Sequence, residues 1–346
     1  MRNALIAILV LGLLGTAWAA DPIEDPESLS EMPAPDNALY RFLKARLLKC
    51  TGDGKKLDAP VELSIGGRSY AFDGDTLGLK GADPDGVVSL GVLGAIKDFS
   101  GETRKALDFY LDKFAEQKVD AIILAGDLAA TEFEITQVVL YCAKRGLLTL
   151  ALIGNTEGRT AFNRALLNVM KVAPNAVNFD FVRRVDLGGA VLISLPGYVD
   201  RKFVHQSGGC SYKPRDVDAM SAYTKDTQVP KVLVSHGPPA GKDKNGLDTA
   251  VEAGNVGDAR MAGFMQDNQV HYGLFGHILE AGGRALDADG KPVAAGVWVD
   301  QAYLNVGSAN PLPWQLNSGK LSCGMGAVMQ FKDGKGKYTF IEHPCK

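Results

Sequence analysis

The amino-acid sequence predicts an α/β fold over residues 87–346, and two observations carry that expectation. From residue 87 onward short apolar runs alternate with segments of helical periodicity, the rhythm of parallel strands joined by crossover helices. With 46% hydrophobic and 22% charged residues over 346 positions, the chain also has the material for a sizeable buried core. In order, residues 87–96 form an apolar run, 102–117 are helical, 120–125 are apolar again, 132–145 are helical, 147–153 read as a strand, and 160–172 are helical. The second half is richer in strands: 181–186 and 190–195 around Gly188-Gly189, then 231–235, 272–275, 297–304 and a terminal hairpin. Helical patterns recur near 216–223 and 258–269.

The first twenty residues are different material. Arg2 is followed by an apolar run over residues 4–14, and the segment closes on Ala17-Trp18-Ala19-Ala20 before Asp21. The apolar run is short for a bilayer span and the small-x-small ending suits signal peptidase, so residues 1–20 read as an export signal, with an N-terminal anchor as the alternative. Export implies a periplasmic or secreted protein. Residues 21–36 are acidic and proline-rich and read as a linker. Residues 37–86 read as a small N-terminal extension, with Leu39, Phe42, Leu43 and Leu47 at helical spacing and a hairpin around Gly66-Gly67. The formal net charge is -3, and no other segment is long and apolar enough to span a membrane. Nothing here indicates nucleic-acid binding, or stable membrane insertion once the signal is removed.

Five cysteines fit an oxidising compartment. Cys323 and Cys345 each lie eleven residues from Gly334, at the turn of the terminal hairpin, which predicts a bridge across its two strands. Cys50 and Cys210 form the second candidate pair. Cys142 lies in a helical pattern and reads as a small buried hydrophobe.

Several apolar strands end in a residue able to hold a metal. DAIILAGD ends at Asp127, LTLALIGN at Asn155, KVLVSH at His236, YGLFGH at His277, and SLGVLGAIKD at Asp98. In an open α/β sheet, ligands collect beyond the carboxyl ends of the strands. Glycine next to a ligand lets backbone and ion approach closely. Each residue alone has a plainer explanation, since Asp127 and Asn155 suit turns or helix caps and a lone His236 suits a buried core. Together the Asp/Asn/His/His set suits a divalent ion of the Mn, Fe or Zn class.

In this order and strand context the sequence resembles the calcineurin-like metallophosphoesterase superfamily, whose pattern runs D-x-H, G-D, G-N-H-D/E, H and G-H-x-H. Over residues 87–331 the chain offers Asp98-Phe99-Ser100, Gly126-Asp127, Gly154-Asn155-Thr156-Glu157, Ser235-His236 and Gly276-His277-Ile278-Leu279, followed by Asn305-Val306-Gly307-Ser308. The resemblance implies a metallophosphoesterase-like sandwich of two mixed β-sheets flanked by helices. It also implies one metal position held by Asp127, Asn155, His236 and His277. Ser100, Thr156 and Leu279 stand where the family has histidine, so the second position keeps only Asp98 and the shared Asp127, and the histidine that assists phosphoryl transfer is absent.

One divalent ion lowers the pKa of water less than two and clamps only part of a displacement. Glu280, Glu157, Arg159 or His205 are the candidates to compensate, and loops 198–215 and 238–257 the expected walls of the site. Two readings remain: a one-metal hydrolase of phosphate mono- or diesters, or a non-catalytic protein binding a metal or a phosphorylated ligand in the cell envelope.

Overall fold

A computed structural model of the protein describes residues 27–81 and 85–345. The expected export signal, 1–20, and the start of the linker, 21–26, lie outside them.

The chain begins with α1 (Glu27–Glu31) and α2 (Ala38–Lys44), followed by β1 (Val61–Ile65), β2 (Arg68–Asp73) and β3 (Thr76–Leu79). The main run is β4 (Val88–Leu93), α3 (Gly101–Glu116), β5 (Ala121–Ala125), α4 (Glu132–Ala143), β6 (Leu148–Leu152), α5 (Arg159–Val169), β7 (Ala176–Asn178), β8 (Arg184–Asp186) and β9 (Val191–Leu195). Then come α6 (Pro214–Ala219), β10 (Lys231–Ser235), the small pair β11 (Thr249–Ala250) and β12 (Gly254–Asn255), α7 (Ala259–Asp267) and β13 (Tyr272–Phe275). The chain closes with β14 (Arg284–Leu286), β15 (Ala302–Asn305), a second small pair β16 (Trp314–Gln315) and β17 (Leu321–Ser322), and the hairpin β18 (Met325–Lys332) and β19 (Lys335–Glu342).

Two mixed sheets result. The six-stranded one has the order β19-β18-β4-β5-β6-β7, with β4 to β7 parallel. The nine-stranded one has the order β1-β2-β3-β8-β9-β10-β13-β15-β14, with β9, β10, β13 and β15 parallel. Side chains alternate across each strand, which explains why these strands read as unbroken apolar runs. Leu90, Val92, Ile123 and Leu150 of one sheet share a single buried cluster with Leu192, Val234, Leu274 and Leu304 of the other. Their neighbours face outward: Ile122, Leu124 and Ala151 pack on Leu107, Phe114, Val138 and Phe162 of α3 to α5. On the other side Ile193 and Leu233 pack on Val217 of α6 and Met261, Phe264 and Met265 of α7. The central strands of both sheets are therefore buried on two faces. Gly91 is part of that fit, because a Cβ there would lie 2.6 Å from the Phe114 ring.

Most elements follow the sequence reading; the short strands β3, β7, β11, β12, β14, β16 and β17 have no counterpart in it, and two longer stretches differ. Residues 27–31, within the expected linker, form a helix because Leu29 is buried and Lys171 Nζ donates to the Leu29 and Ser30 carbonyls, both at 2.9 Å. β7 is too short to leave a periodic signature. The apolar stretch 297–304 yields a strand only from Ala302. The N-terminal extension is built into the nine-stranded sheet, since β3 pairs in parallel with β8.

The terminal hairpin turns through Asp333 and Gly334, with φ of 52° and 79°, the left-handed pair that a two-residue Asp-Gly turn requires. Its register sets Met325 against Glu342, so continuing it would place Cys323 against Pro344, one residue from the symmetric count. The ladder ends first, and beyond it Cys323 and Cys345 bridge with their Cα atoms 5.1 Å apart. Cys50 and Cys210 form the second disulfide, Cα atoms 5.5 Å apart, and Cys142 is free and buried. Two disulfides are consistent with an oxidising, non-cytoplasmic environment. No helix among the described residues is long and apolar enough to cross a membrane.

The Cys50–Cys210 bridge spans 160 residues and Cys323–Cys345 spans 22. Loop-closure entropy makes their losses cost about 5 and about 3 kcal/mol respectively. Cys50→Ala is therefore expected to lower the melting temperature more than Cys345→Ala. Thiol titration of the denatured, unreduced wild type should find one free thiol; finding three would refute one of the bridges.

Candidate metal centre

Four strands deliver the site, two from each sheet. β5 ends at Ala125, and the chain then bends through Gly126 and Asp127, with φ of 86° and 57°. β6 leads through Gly154 to Asn155, β10 runs directly into His236, and β13 leads through Gly276 to His277, whose φ is 66°. The carboxyl ends of the two sheets meet here, joined by His236 Nδ1 donating to the Ala125 carbonyl at 3.0 Å. The two glycines nearest the junction have no room for a side chain. A Cβ on Gly126 would lie 2.6 Å from His236 Nδ1, and one on Gly154 would lie 2.4 Å from the Asp127 backbone nitrogen and Oδ1.

The donor atoms converge. His236 spends Nδ1–H on Ala125, which turns Nε2 inward to stand 2.8 Å from Asn155 Oδ1, 3.2 Å from Asp127 Oδ1 and 3.2 Å from His277 Nδ1. Asn155 Nδ2 donates to the Phe203 carbonyl at 2.6 Å, fixing the amide so that Oδ1 faces the cluster, 3.1 Å from His277 Nδ1. One carboxylate oxygen, one amide oxygen and two imidazole nitrogens thus point lone pairs at one another. Asp127, Asn155 and His236 are almost wholly buried. A shared proton satisfies part of such a set; a divalent cation satisfies all of it. An imidazole whose far nitrogen donates to a backbone carbonyl is also oriented as a metal ligand needs. The residues fit one divalent ion, and Asp127, His236 and His277 form the one His/Cys/Asp/Glu cluster of metal-binding geometry among the described residues.

Electrostatics follow from that crowding. Burial opposes charge on Asp127, but His236 and then Lys97 outweigh it and hold the carboxyl well below its usual range. Burial likewise opposes charge on His236, yet Asp127 outweighs it and raises the imidazole. Burial, reinforced by His236, pushes His277 down to about 3 and keeps it neutral. Beneath Asp127, Glu157 is fully buried, accepting from Leu128 N–H and, at 3.0 Å, from Gly154 N–H. Burial and then the Asp127 charge push it up to about 7.

Asp98 does not join the cluster. Its carboxylate accepts from Ser100 N–H at 2.7 Å, Thr103 Oγ1 at 2.6 Å and Asn310 Nδ2 at 2.9 Å, so it ties down the start of α3, which Ser100 caps. Sheet register gives the reason. Leu93 is level with Leu124, and the Ala95 and Lys97 N–H groups bond to the Gly126 and Asp127 carbonyls at 3.0 Å, so the stretch Ala95–Lys97 lies beside Asp127. Asp98 lies beyond it. Lys97, which the sequence reading passed over, places Nζ on Asp127 Oδ2. No sequence signal separated the two, because the apolar run continues past the end of β4 at Leu93, which leaves Asp98 five residues beyond its strand where Asp127 is two beyond β5.

The candidate helpers are scattered. Thr156 donates Oγ1 to Asp127 Oδ1 at 3.0 Å, alongside its own N–H and that of Asn155 at 3.1 Å. Glu280 lies on a short 3-10 turn, and Arg159 opens α5 with its Nε buried and unpartnered among the described residues. His205 is exposed, but its backbone N–H donates to the Asn155 carbonyl at 2.9 Å. Loop 198–215 therefore folds over the site, with the Tyr198 ring 4.1 Å from that of His277. Tyr198 Oη reaches the Val256 carbonyl at 3.4 Å, linking this wall to loop 238–257.

The family described as calcineurin-like phosphoesterase matches residues 100–281, more than half of the chain. One solved structure is 15% identical, over 73% of this chain and 98% of the other, with a TM-score of 0.52. A dimetal phosphatase from Danio rerio is 11% identical over 74% and 99%, with a TM-score of 0.48. GAP50, described as the anchor in the inner membrane complex of Plasmodium, is 12% identical over 74% and 84%, also at 0.48. The first of these likenesses bears on the fold alone. No curated protein matches the sequence.

Gly154→Ala would drive a methyl into the backbone and carboxylate of Asp127, and should cost about 2 kcal/mol or more. Thr156→Ala removes one hydrogen bond and should cost about 1 kcal/mol. Denaturant unfolding of the two variants checks the order, which the close approach at Gly154 requires.

Proposed function

Because this chain belongs to the calcineurin-like phosphoesterase family, we propose that it is an exported one-metal member whose centre binds the phosphoryl group of a phosphate ester. The observation that carries this reading is the convergence of Asp127, Asn155, His236 and His277 donor atoms within 3.2 Å of His236 Nε2. When bound there, a divalent ion of the Mn, Fe or Zn class supplies a Lewis acid for a phosphoryl oxygen. The chain itself supplies the rest. Asn155 is oriented from loop 198–215, Tyr198 shields His277 from water, and Thr156 and the backbone hold the Asp127 carboxylate still. The export signal over residues 1–20, the linker to 36, the extension over 37–86 and the family domain over 87–346 complete the proposed organisation.

Binding is favoured over full hydrolysis by what stands at the second metal position. Ala95 and Leu279 offer no ligand atom, and Lys97 offers an ammonium already engaged with Asp127. Thr156 spends its hydroxyl proton on Asp127 and is a poor acid for a leaving group. Turnover is therefore confined to esters with good leaving groups.

The test is elemental analysis of the purified mature protein, together with an activated aryl phosphodiester assay in Mn²⁺. The expected result is one ion per chain, lost in Asp127→Ala, with slow turnover that the same variant abolishes or with none. Rapid Asp127-dependent hydrolysis of unactivated esters would make it a full hydrolase, and no ion under any loading condition would sink the metal reading.

A further inference from the structure

The contact between Lys97 and Asp127 is not an ordinary surface ion pair. Asp127 has 2% of its side chain exposed and Lys97 has 35%, so the ammonium bridges the buried centre and solvent. Exposed pairs contribute little and need no support from the backbone. This one has a great deal.

Ala95 and Lys97 both hold left-handed backbone, φ 48° and 75°, without being glycine. Conformations of that kind are costly and persist where the surroundings over-determine them. Here they do. Ala95 N–H bonds to the Gly126 carbonyl and Lys97 N–H to the Asp127 carbonyl, both at 3.0 Å. Ser308 Oγ donates to the Ala95 carbonyl at 2.8 Å, and Asn310 Nδ2 to the Ile96 carbonyl at 2.7 Å. The late Asn305-Val306-Gly307-Ser308 turn thus clamps the segment that aims Lys97.

The Asp127 carboxylate is divided between two sides. Oδ1 faces His236 and accepts from Asn155 N–H and from Thr156 N–H and Oγ1, while Oδ2 takes the ammonium. A carboxylate can bridge two cations by giving one oxygen to each. Resting on the one-metal reading, we propose that Lys97 is a built-in cation on the second face of Asp127. It occupies the place of a second divalent ion, and with the first it binds a dianionic phosphoryl group. One divalent ion and one ammonium outweigh the Asp127 carboxylate and leave a net positive centre, which suits the dianion of a phosphate monoester or inorganic phosphate over a monoanionic diester. The ammonium is compact, has three donors and reaches solvent on its open side, so it meets a phosphoryl oxygen directly.

The experiment uses the whole protein, titrated with Mn²⁺, with inorganic phosphate and dimethyl phosphate as calorimetric probes of the loaded form. Wild type is expected to take one ion and to bind phosphate at least tenfold more tightly than the monoanion dimethyl phosphate. Lys97→Gln should still take one ion but bind phosphate about tenfold more weakly or worse, the scale of one charge-assisted hydrogen bond. Lys97→Arg, which keeps the charge, should stay within a few-fold of wild type and stands in if the glutamine variant fails to fold. Two ions in wild type or in Lys97→Arg would overturn the inference. So would equal binding of the two probes, or unchanged phosphate affinity in Lys97→Gln with one ion bound; these leave the one-metal reading standing. No ion in wild type overturns both.

Discussion

The carboxylate of Asp127 lies at the end of β5 with 1% of the residue exposed, and a charge so placed must be met on every side. Oδ1 accepts from two backbone N–H groups and a hydroxyl and faces His236; Oδ2 takes the Lys97 ammonium. These partners follow β4, β6 and β10, while Asp127 itself follows β5, so satisfying one carboxylate fixes how strand ends from both sheets meet. The glycines at 126 and 154 follow from the same demand. The backbone must approach the carboxylate and His236 more closely than any Cβ allows.

From that junction the layered architecture positions everything else. Parallel strands β4 to β6 and β10 to β13 all end on the same side, and the apolar cluster between the sheets holds the two sets of ends together. Outer helices cover the central parallel strands of both sheets on their second face. A candidate site assembled from four such ends rests on the core beneath it rather than on loops alone.

Much of this was legible in the sequence because periodicity and strand-end chemistry are local. Alternating apolar runs located nearly every strand of the six-stranded sheet and its helices. Asp127, Asn155, His236 and His277 announced themselves as ligand types after apolar runs, and the structure brings all four together. What failed was register. Asp98 looked like a strand-end ligand because the apolar run continues past the strand through Ala95 and Ile96; β4 stops at Leu93, and the chain crosses the site before Asp98 is reached. Lys97 was invisible for the same reason, since only pairing with β5 shows that it lies level with Asp127. The terminal hairpin shows the milder case: a count to the turn found the right cysteines with the register off by one.

The N-terminal extension had no discernible task from sequence, and its contacts supply one. Cys50 is bonded to Cys210 in the loop whose Phe203 carbonyl orients Asn155. Thr51 Oγ1 accepts from buried Arg183, and Gly52 N–H bonds to the Asp180 carbonyl at 3.0 Å. Asp180 in turn accepts from Ile153 N–H at 3.0 Å, two residues before Asn155. Asn163 of α5, behind the same turn, donates to the Leu47 and Lys49 carbonyls at 2.9 and 3.1 Å. Residues 47–52 therefore grip Asn155 from two directions, through the covering loop and from below its strand. Among the four converging side chains the amide is the weakest candidate ligand and carries no charge that would draw it to a cation. Its placement depends most on neighbouring structure, and the extension with its disulfide is where that structure comes from.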